Sequence, residues 1–306
     1  MSAPPLPPAK LRRVLVPFLL VTLIWGSTWL VIRDQIGVVP ASWSVTYRFL
    51  LGTVAMFGVA VAMRAPLWPG RGGLMIAALV GFFQFFANFN LVYRAEGVVT
   101  SGLVAVVFAL LVVPNAVLGR IFLGQSLSRP FLAGSVIAML GVALLFDHEL
   151  RHVRGDGVWA VAGGIATTLL AVLTASIANV LQATQAARRM AVVPMIAWAM
   201  LVGTLVDGAY AWATVGPPLF EWRWGYVGGI AYLGLIGSAL AFPLYFHVIR
   251  TIGPARAAYS SVLVPVIAMA LSTMFEGYRW SFQAAGGAAL ALAGLIVALR
   301  ARNPAR

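Results

Sequence analysis

The chain has 306 residues, of which 61% are hydrophobic and only 9% charged. A soluble domain carries about a quarter charged residues, so a water-exposed globule is excluded and most of this surface must meet lipid. The net charge of +13 is scattered between apolar runs without forming a basic face, which argues against nucleic acid as a partner, and the absence of cysteine excludes disulfides and thiolate chemistry.

Residues 1–13 (MSAPPLPPAKLRR) are proline-rich and then basic. They read as a cytoplasmic tail and not a signal peptide, because the apolar run behind them is long enough to span and has no small-residue cleavage site. A spanning helix needs about 20 largely apolar residues. Ten windows qualify, at 14–32, 43–63, 73–93, 102–121, 130–146, 157–180, 193–213, 225–247, 255–275 and 281–299. Barrel strands are excluded by run length, since those alternate over about 10 residues.

In chain order, the first window places Gly26, Ser27 and Thr28 between Trp25 and Trp29, a helix-crossing site first and a substrate contact second. The second carries Arg48, which either snorkels to the outer interface or faces inward. In the third, Gln84 and Asn88 stand at i, i+4 and share a face beside the Phe85 and Phe89 stripe. The fourth has Asn115 directly after Pro114, whose ring frees a backbone carbonyl. The sixth offers Thr174, Ser176 and Asn179, of which Asn179 is the best cavity candidate, and the seventh holds Asp207, too short to reach the interface. Ser238, Phe242 and Tyr245 form a face in the eighth, with Pro243 interrupting the helix, and Tyr259, Ser260 and Ser261 precede Pro265 in the ninth. Trp222, Trp224 and Trp280 sit at span ends and read as interface belts.

The positive-inside rule orients these windows. With the N-terminus in the cytoplasm, the cytoplasmic connections and tails carry fourteen basic residues and no acidic one, against six basic and seven acidic on the other side. Both termini therefore lie inside, and the number of spans is even. The outer set includes Glu96 and Glu276, and an outer loop with Asp147, His148, Glu149 and His152 that reads as solvated, without a metal site.

The halves repeat. Gly81 and Gly234 stand 153 residues apart, as do Gly141 and Gly294, and Pro114 and Pro265 stand 151 apart. Five spans per half is an odd number, so the second half enters the membrane inverted. The predicted fold is an all-α integral membrane protein of ten transmembrane helices in two inverted five-helix repeats, 14–150 and 151–299, with a basic cytoplasmic tail at 300–306. Such repeats bind their substrate near the midplane at the repeat interface.

An unpaired amide is costly in hydrocarbon, so the amides face other helices or a watered cavity. Walls of amides and aromatic rings suit a zwitterion with an apolar side chain. The absence of central carboxylate pairs argues against a strongly proton-driven pump, leaving Asp207 and Glu276 as the coupling candidates. Pro114 and Pro265 are the expected hinges for alternating access. An enzyme would need a nucleophile, base or metal constellation. The only histidines are His148, His152 and His247, and no phosphate-binding glycine loop is present, so no cofactor is expected.

Several motifs resemble the drug/metabolite transporter superfamily, EamA type. LIWGSTWLVI (23–32) is similar to that family's Trp-Gly-Ser signature, and Arg48 in VTYRFLLG matches its helix-two arginine. Residues 231–258 resemble its passage from helix eight to nine, and Pro265 followed by Glu276 resembles its proline-to-acidic-turn segment. Gln125 departs from the glutamate usual in the first repeat. The resemblance implies an exporter of small metabolites in a bacterial inner membrane, multi-pass, acting on a small-molecule substrate such as an aromatic or neutral amino acid. Lipophilic drugs are the alternative cargo. The cavity it implies is lined mainly by helices one, three, four, six, eight and nine. The substrate residues expected there are Trp25, Ser27, Thr28, Gln84, Phe85, Asn88, Asn115, Asn179, Ser238, Phe242, Tyr245 and Tyr259. The protein is expected to work as a monomer in the lipid bilayer.

Overall fold

The computed structural model describes residues 8–124, 127–152, 157–252 and 260–301, and every regular element among them is helical. Apart from the single helical turn Gln185–Arg188, these are in chain order α1 (Pro8–Gln35), α2 (Ala41–Ala62), α3 (Gly70–Glu96), α4 (Ser101–Leu123), α5 (Arg129–His152), α6 (Gly157–Ala183), α7 (Val192–Val215), α8 (224–252), α9 (Ser260–Phe275) and α10 (Phe282–Ala301). Seven of them, α1 to α4 and α6 to α8, are long and apolar enough to cross a membrane, and α5, α9 and α10 contribute the shorter apolar stretches Arg129–Leu145, Leu263–Phe275 and Phe282–Ala298.

The polarity is that of a lipid-solvated bundle. Leu23, Val54, Ile121, Phe122, Leu140 and Leu205 are exposed, whereas Arg48, Glu96 and Asp207 are at most 1% exposed. Trp222 and Trp224 are exposed as well, and Arg223 between them bridges Asp34 and Glu221 at 3.0 Å each, tying the end of α1 to the start of α8.

Helices pack most closely where glycine removes the side chain. α5 and α10 run antiparallel: a Cβ on Gly134 would strike the backbone of Gly294 and Ala298, and one on Gly141 that of Gly287 and Ala291. The same pattern holds from the other side, where Gly294 meets Gly134 and Ala138. A second close approach brings Gly81 of α3 onto the carbonyl of Ala199 in α7, and Gly234 of α8 to 2.9 Å, at Cβ, from the carbonyl of Arg48 in α2.

Both of these glycines lie in or beside wide π turns, Gly81–Asn88 in α3 and Tyr232–Leu240 in α8. The structure corrects three expectations here. Pro243 does not interrupt α8, because the π turns just before it absorb its missing N–H, and α8 runs on as helix. Helix α1 begins at Pro8, inside the stretch read as a tail. Helix α5 continues to His152 through the stretch read as an outer loop, and Asp147 accepts a 2.7 Å hydrogen bond from Gln283 Nε2 on α10. Pro114 is accommodated differently, by a tight 3₁₀ turn at Ala109–Leu111 that precedes it.

Candidate functional site

A cavity of about 130 Å³ lies inside the bundle, walled by α1, α3, α4, α6, α8 and α9 and, through Arg48, by α2. Its polar lining consists of Thr28, Gln84, Asn88, Asn179, Ser260 and Arg48, and its rings are Trp25, Trp29, Phe89, Phe108, Phe242 and Tyr245.

The rings are held by one another and by the π turns. Trp25 packs at 5.4 Å from Phe242 and 4.8 Å from Tyr245, while its Nε1 donates to the Gly237 carbonyl at 3.2 Å. Phe85 lies behind this wall, 5.2 Å from Phe242 and 5.0 Å from Phe49, and Phe49 in turn packs 4.8 Å from Phe89. Edge-to-face contacts at these spacings fix ring orientation beyond what area burial does. Asn88 donates to the Ala171 carbonyl on α6 at 2.8 Å, which anchors the amide between two helices.

Of the residues singled out from the sequence, Trp25, Thr28, Gln84, Asn88, Asn179, Phe242 and Tyr245 line this cavity, as does Pro265. Four others stand just outside it. Ser27 shares a 2.7 Å hydrogen bond with the Tyr232 hydroxyl, and Phe85 is buried in the core. Asn115 accepts from Asn179 Nδ2 at 3.4 Å, and Ser238 accepts from Arg48 Nε at 3.2 Å. Tyr259 lies outside the described residues. Of the two stripe residues, Phe89 faces the cavity while Phe85 packs behind it against Phe49 and Phe242.

The carboxylates are arranged otherwise than the charge count implied. Glu96 is the last residue of α3 and is fully buried, not a loop charge. Arg33 donates to its backbone carbonyl, and Glu276 lies within electrostatic reach. Glu276 accepts from Ser272 Oγ at 2.5 Å and from the Ser101 backbone N at 3.3 Å. It thereby sits at the N-terminus of α4, where the helix dipole favours an anion. Asp207 is fully buried and accepts from Asn90 Nδ2. Neither Glu276 nor Asp207 lines the cavity. Arg48 does not snorkel: it turns inward onto Ser238 and the Phe89 ring. Its depth was the signal that could have shown this. It stands seven residues into a helix that rises 1.5 Å per residue, hence about 10 Å from the helix start.

Together the fold and this cavity define a multi-pass helical membrane protein with an internal chamber walled by amides and aromatic rings. The chain belongs to the EamA-like transporter family, whose profile matches residues 13–147 and again residues 162–300. That membership makes it a membrane transporter of the drug/metabolite superfamily. It is similar, at 24% identity over 94% of this chain and 96% of the relative, to a probable amino-acid metabolite efflux pump of Salmonella typhimurium. It is similar to the protein PagO of the same organism, at 25% identity over 94% of this chain and 92% of PagO, and to the uncharacterized inner membrane transporter YedA of Escherichia coli, at 26% over 83% and 80%. A solved crystal structure shares its fold with a TM-score of 0.69 over 95% of this chain and 98% of that one, at 17% identity.

Proposed function

We propose that the protein exports neutral amino acids or similarly small metabolites across the inner membrane, by alternating access around the amide- and aromatic-walled cavity. The observation that carries the reading is the composition of that wall: Gln84, Asn88 and Asn179 offer neutral hydrogen-bonding groups beside the faces of Trp25, Phe89, Phe242 and Tyr245. Wall chemistry of this kind suits a polar head with an apolar side chain. The relative named as a probable amino-acid metabolite efflux pump supports the same class of cargo.

The reading includes ten crossings in two inverted repeats, 14–150 and 151–299, with both termini cytoplasmic and a single chain as the working unit. The family profile matching each half supports this, as does the reciprocal glycine packing of α5 on α10. Rocking of the halves then bends the chain at Pro114 and Pro265, with Asp207 and Glu276 as the coupling candidates. Replacing Pro265 by alanine restores a backbone hydrogen bond and stiffens α9, and flux is expected to fall by about tenfold, a change of ~1.4 kcal/mol in the barrier. Normal flux through this variant would show that Pro265 is no hinge.

The test is flux from proteoliposomes preloaded with radiolabelled amino acids, with and without a pH gradient. Saturable efflux of aromatic or large neutral amino acids is the expected result. Efflux stimulated by the gradient and no longer so in Asp207→Asn or Glu276→Gln would assign coupling to those carboxyls. Failure of every amino acid, with transport of lipophilic cations instead, would overturn the cargo.

A further inference from the structure

Among the described residues Arg48 is the one cationic side chain lining the cavity, and its environment is incomplete. It is 1% exposed. Its Nε donates to Ser238 Oγ at 3.2 Å, its guanidinium carbon lies 4.3 Å from the Phe89 ring centre and 5.1 Å from that of Phe49, and Nη1 is buried without a hydrogen-bond partner. Among the described residues the ion pairs are those of Arg223 with Asp34 and Glu221, and Arg48 is in none. Glu96 lies within its electrostatic reach, yet both Glu96 carboxylate oxygens are themselves buried without a hydrogen-bond partner, so the two are not joined. Tyr93, also nearby, donates its hydroxyl hydrogen to Gln35 Oε1 at 2.8 Å and leaves its oxygen as an acceptor toward the guanidinium, a neutral partner that supplies no counter-charge.

A buried guanidinium with a free donor costs several kcal/mol unless an anion reaches it. Among the described residues no carboxylate lines the cavity. An anion that enters the cavity therefore meets Arg48 with no competing carboxylate among the described lining residues. The planar donor fork of arginine matches a carboxylate with two parallel hydrogen bonds, which a lone ammonium does not. We infer that Arg48 is the anion seat of the cavity and binds the carboxylate of the transported molecule, making the substrate class small carboxylates with an apolar or aromatic body. This rests on the cavity being the transport site and narrows its cargo. The Phe89 ring under the guanidinium and the rings of Trp25, Phe242 and Tyr245 would take the apolar body, and the amide oxygens of Gln84 and Asn179 an ammonium where there is one.

The experiment is thermal unfolding of the full chain in detergent, titrated with phenylalanine, 3-phenylpropionate, phenylalaninamide and phenethylamine. The two carboxylates are expected to raise the wild-type melting temperature, and the amide and amine to leave it unchanged. In Arg48→Gln the apparent affinity for both carboxylates should fall by on the order of 30-fold or more, as when one partner of a buried charge pair is removed. If Arg48→Gln does not unfold cooperatively, Arg48→Lys, which keeps the charge and loses the fork, should still show at least about a tenfold loss. Carboxylates that stabilise the arginine variants as well as wild type would overturn the inference, and so would an amine as effective as its acid, or no response of wild type to either carboxylate. The outcomes also separate the two readings. Binding of 3-phenylpropionate through Arg48 without amino-acid flux would sink the amino-acid cargo and keep the anion seat. Amino-acid flux undiminished in Arg48→Gln would do the reverse.

Discussion

Gly141→Val and Gly294→Val are expected to yield no stably folded protein. At both positions the added side chain meets backbone, not a flexible side-chain end: from Gly141 it would lie 2.6 Å from the Gly287 carbonyl and 2.7 Å from Ala291 Cα, and from Gly294 it would lie 2.6 Å from the Gly134 carbonyl. Neither helix has a rotamer with which to yield, so α5 and α10 must separate along their whole crossing. In lipid that crossing is held by close van der Waals packing, since no hydrophobic drive presses helices together. Overpacking of ordinary cores costs about 1–3 kcal/mol, and a backbone clash repeated along two helices belongs at or above the upper end. Gly58→Ala and Gly286→Ala are the controls. Nothing stands within 4 Å of either Cβ, so alanine should stabilise the helix by about 0.5–1 kcal/mol. Thermal unfolding in detergent checks all four. A Gly141→Val protein melting at the wild-type temperature would mean that the helices do not cross as closely as described.

A large effect on transport, with the fold preserved, is expected at Asn88. Leucine there keeps the branched shape, with larger methyl ends, and removes the amide from the cavity wall. The structural cost is one interhelical hydrogen bond, to the Ala171 carbonyl at 2.8 Å, and such bonds average about 0.6 kcal/mol in membrane proteins. Saturable efflux should nevertheless drop at least about tenfold, because a site built on hydrogen-bonding groups loses both affinity and positioning when one becomes apolar. Stability and flux measured on the same preparation separate the two effects. Wild-type flux through Asn88→Leu would remove the amide wall from the substrate path.

Much of the cavity wall was legible because amides are rare in apolar helices and each must find a polar purpose. Gln84, Asn88 and Asn179 stood out on that ground, and Trp25, Phe242 and Tyr245 through their spacing beside small or polar residues. The rest depended on information that periodicity does not hold. Which member of the Phe85 and Phe89 stripe faces the cavity depends on what packs behind it, here Phe49 and Phe242 against Phe85. Glu96 was misread and Arg48 left open for one reason: window edges drawn from composition assign a charge near an edge to the interface. The helices extend further than the windows, and the charges lie inside. Pairs such as Ser44 with Tyr226, sharing a 2.9 Å hydrogen bond, or Asn90 with Asp207, join residues more than a hundred positions apart and need the fold itself.

The glycine crossing of α5 and α10 also sets the timetable of synthesis. Gly134 and Gly141 meet Gly287, Ala291, Gly294 and Ala298, which are translated only in the second half of the chain. Until then the groove on α5 faces lipid or the insertion machinery, whose chains fill it poorly. A nascent chain stopped short of residue 282 lacks α10 altogether, and the groove that the first half presents on α5 then stays open.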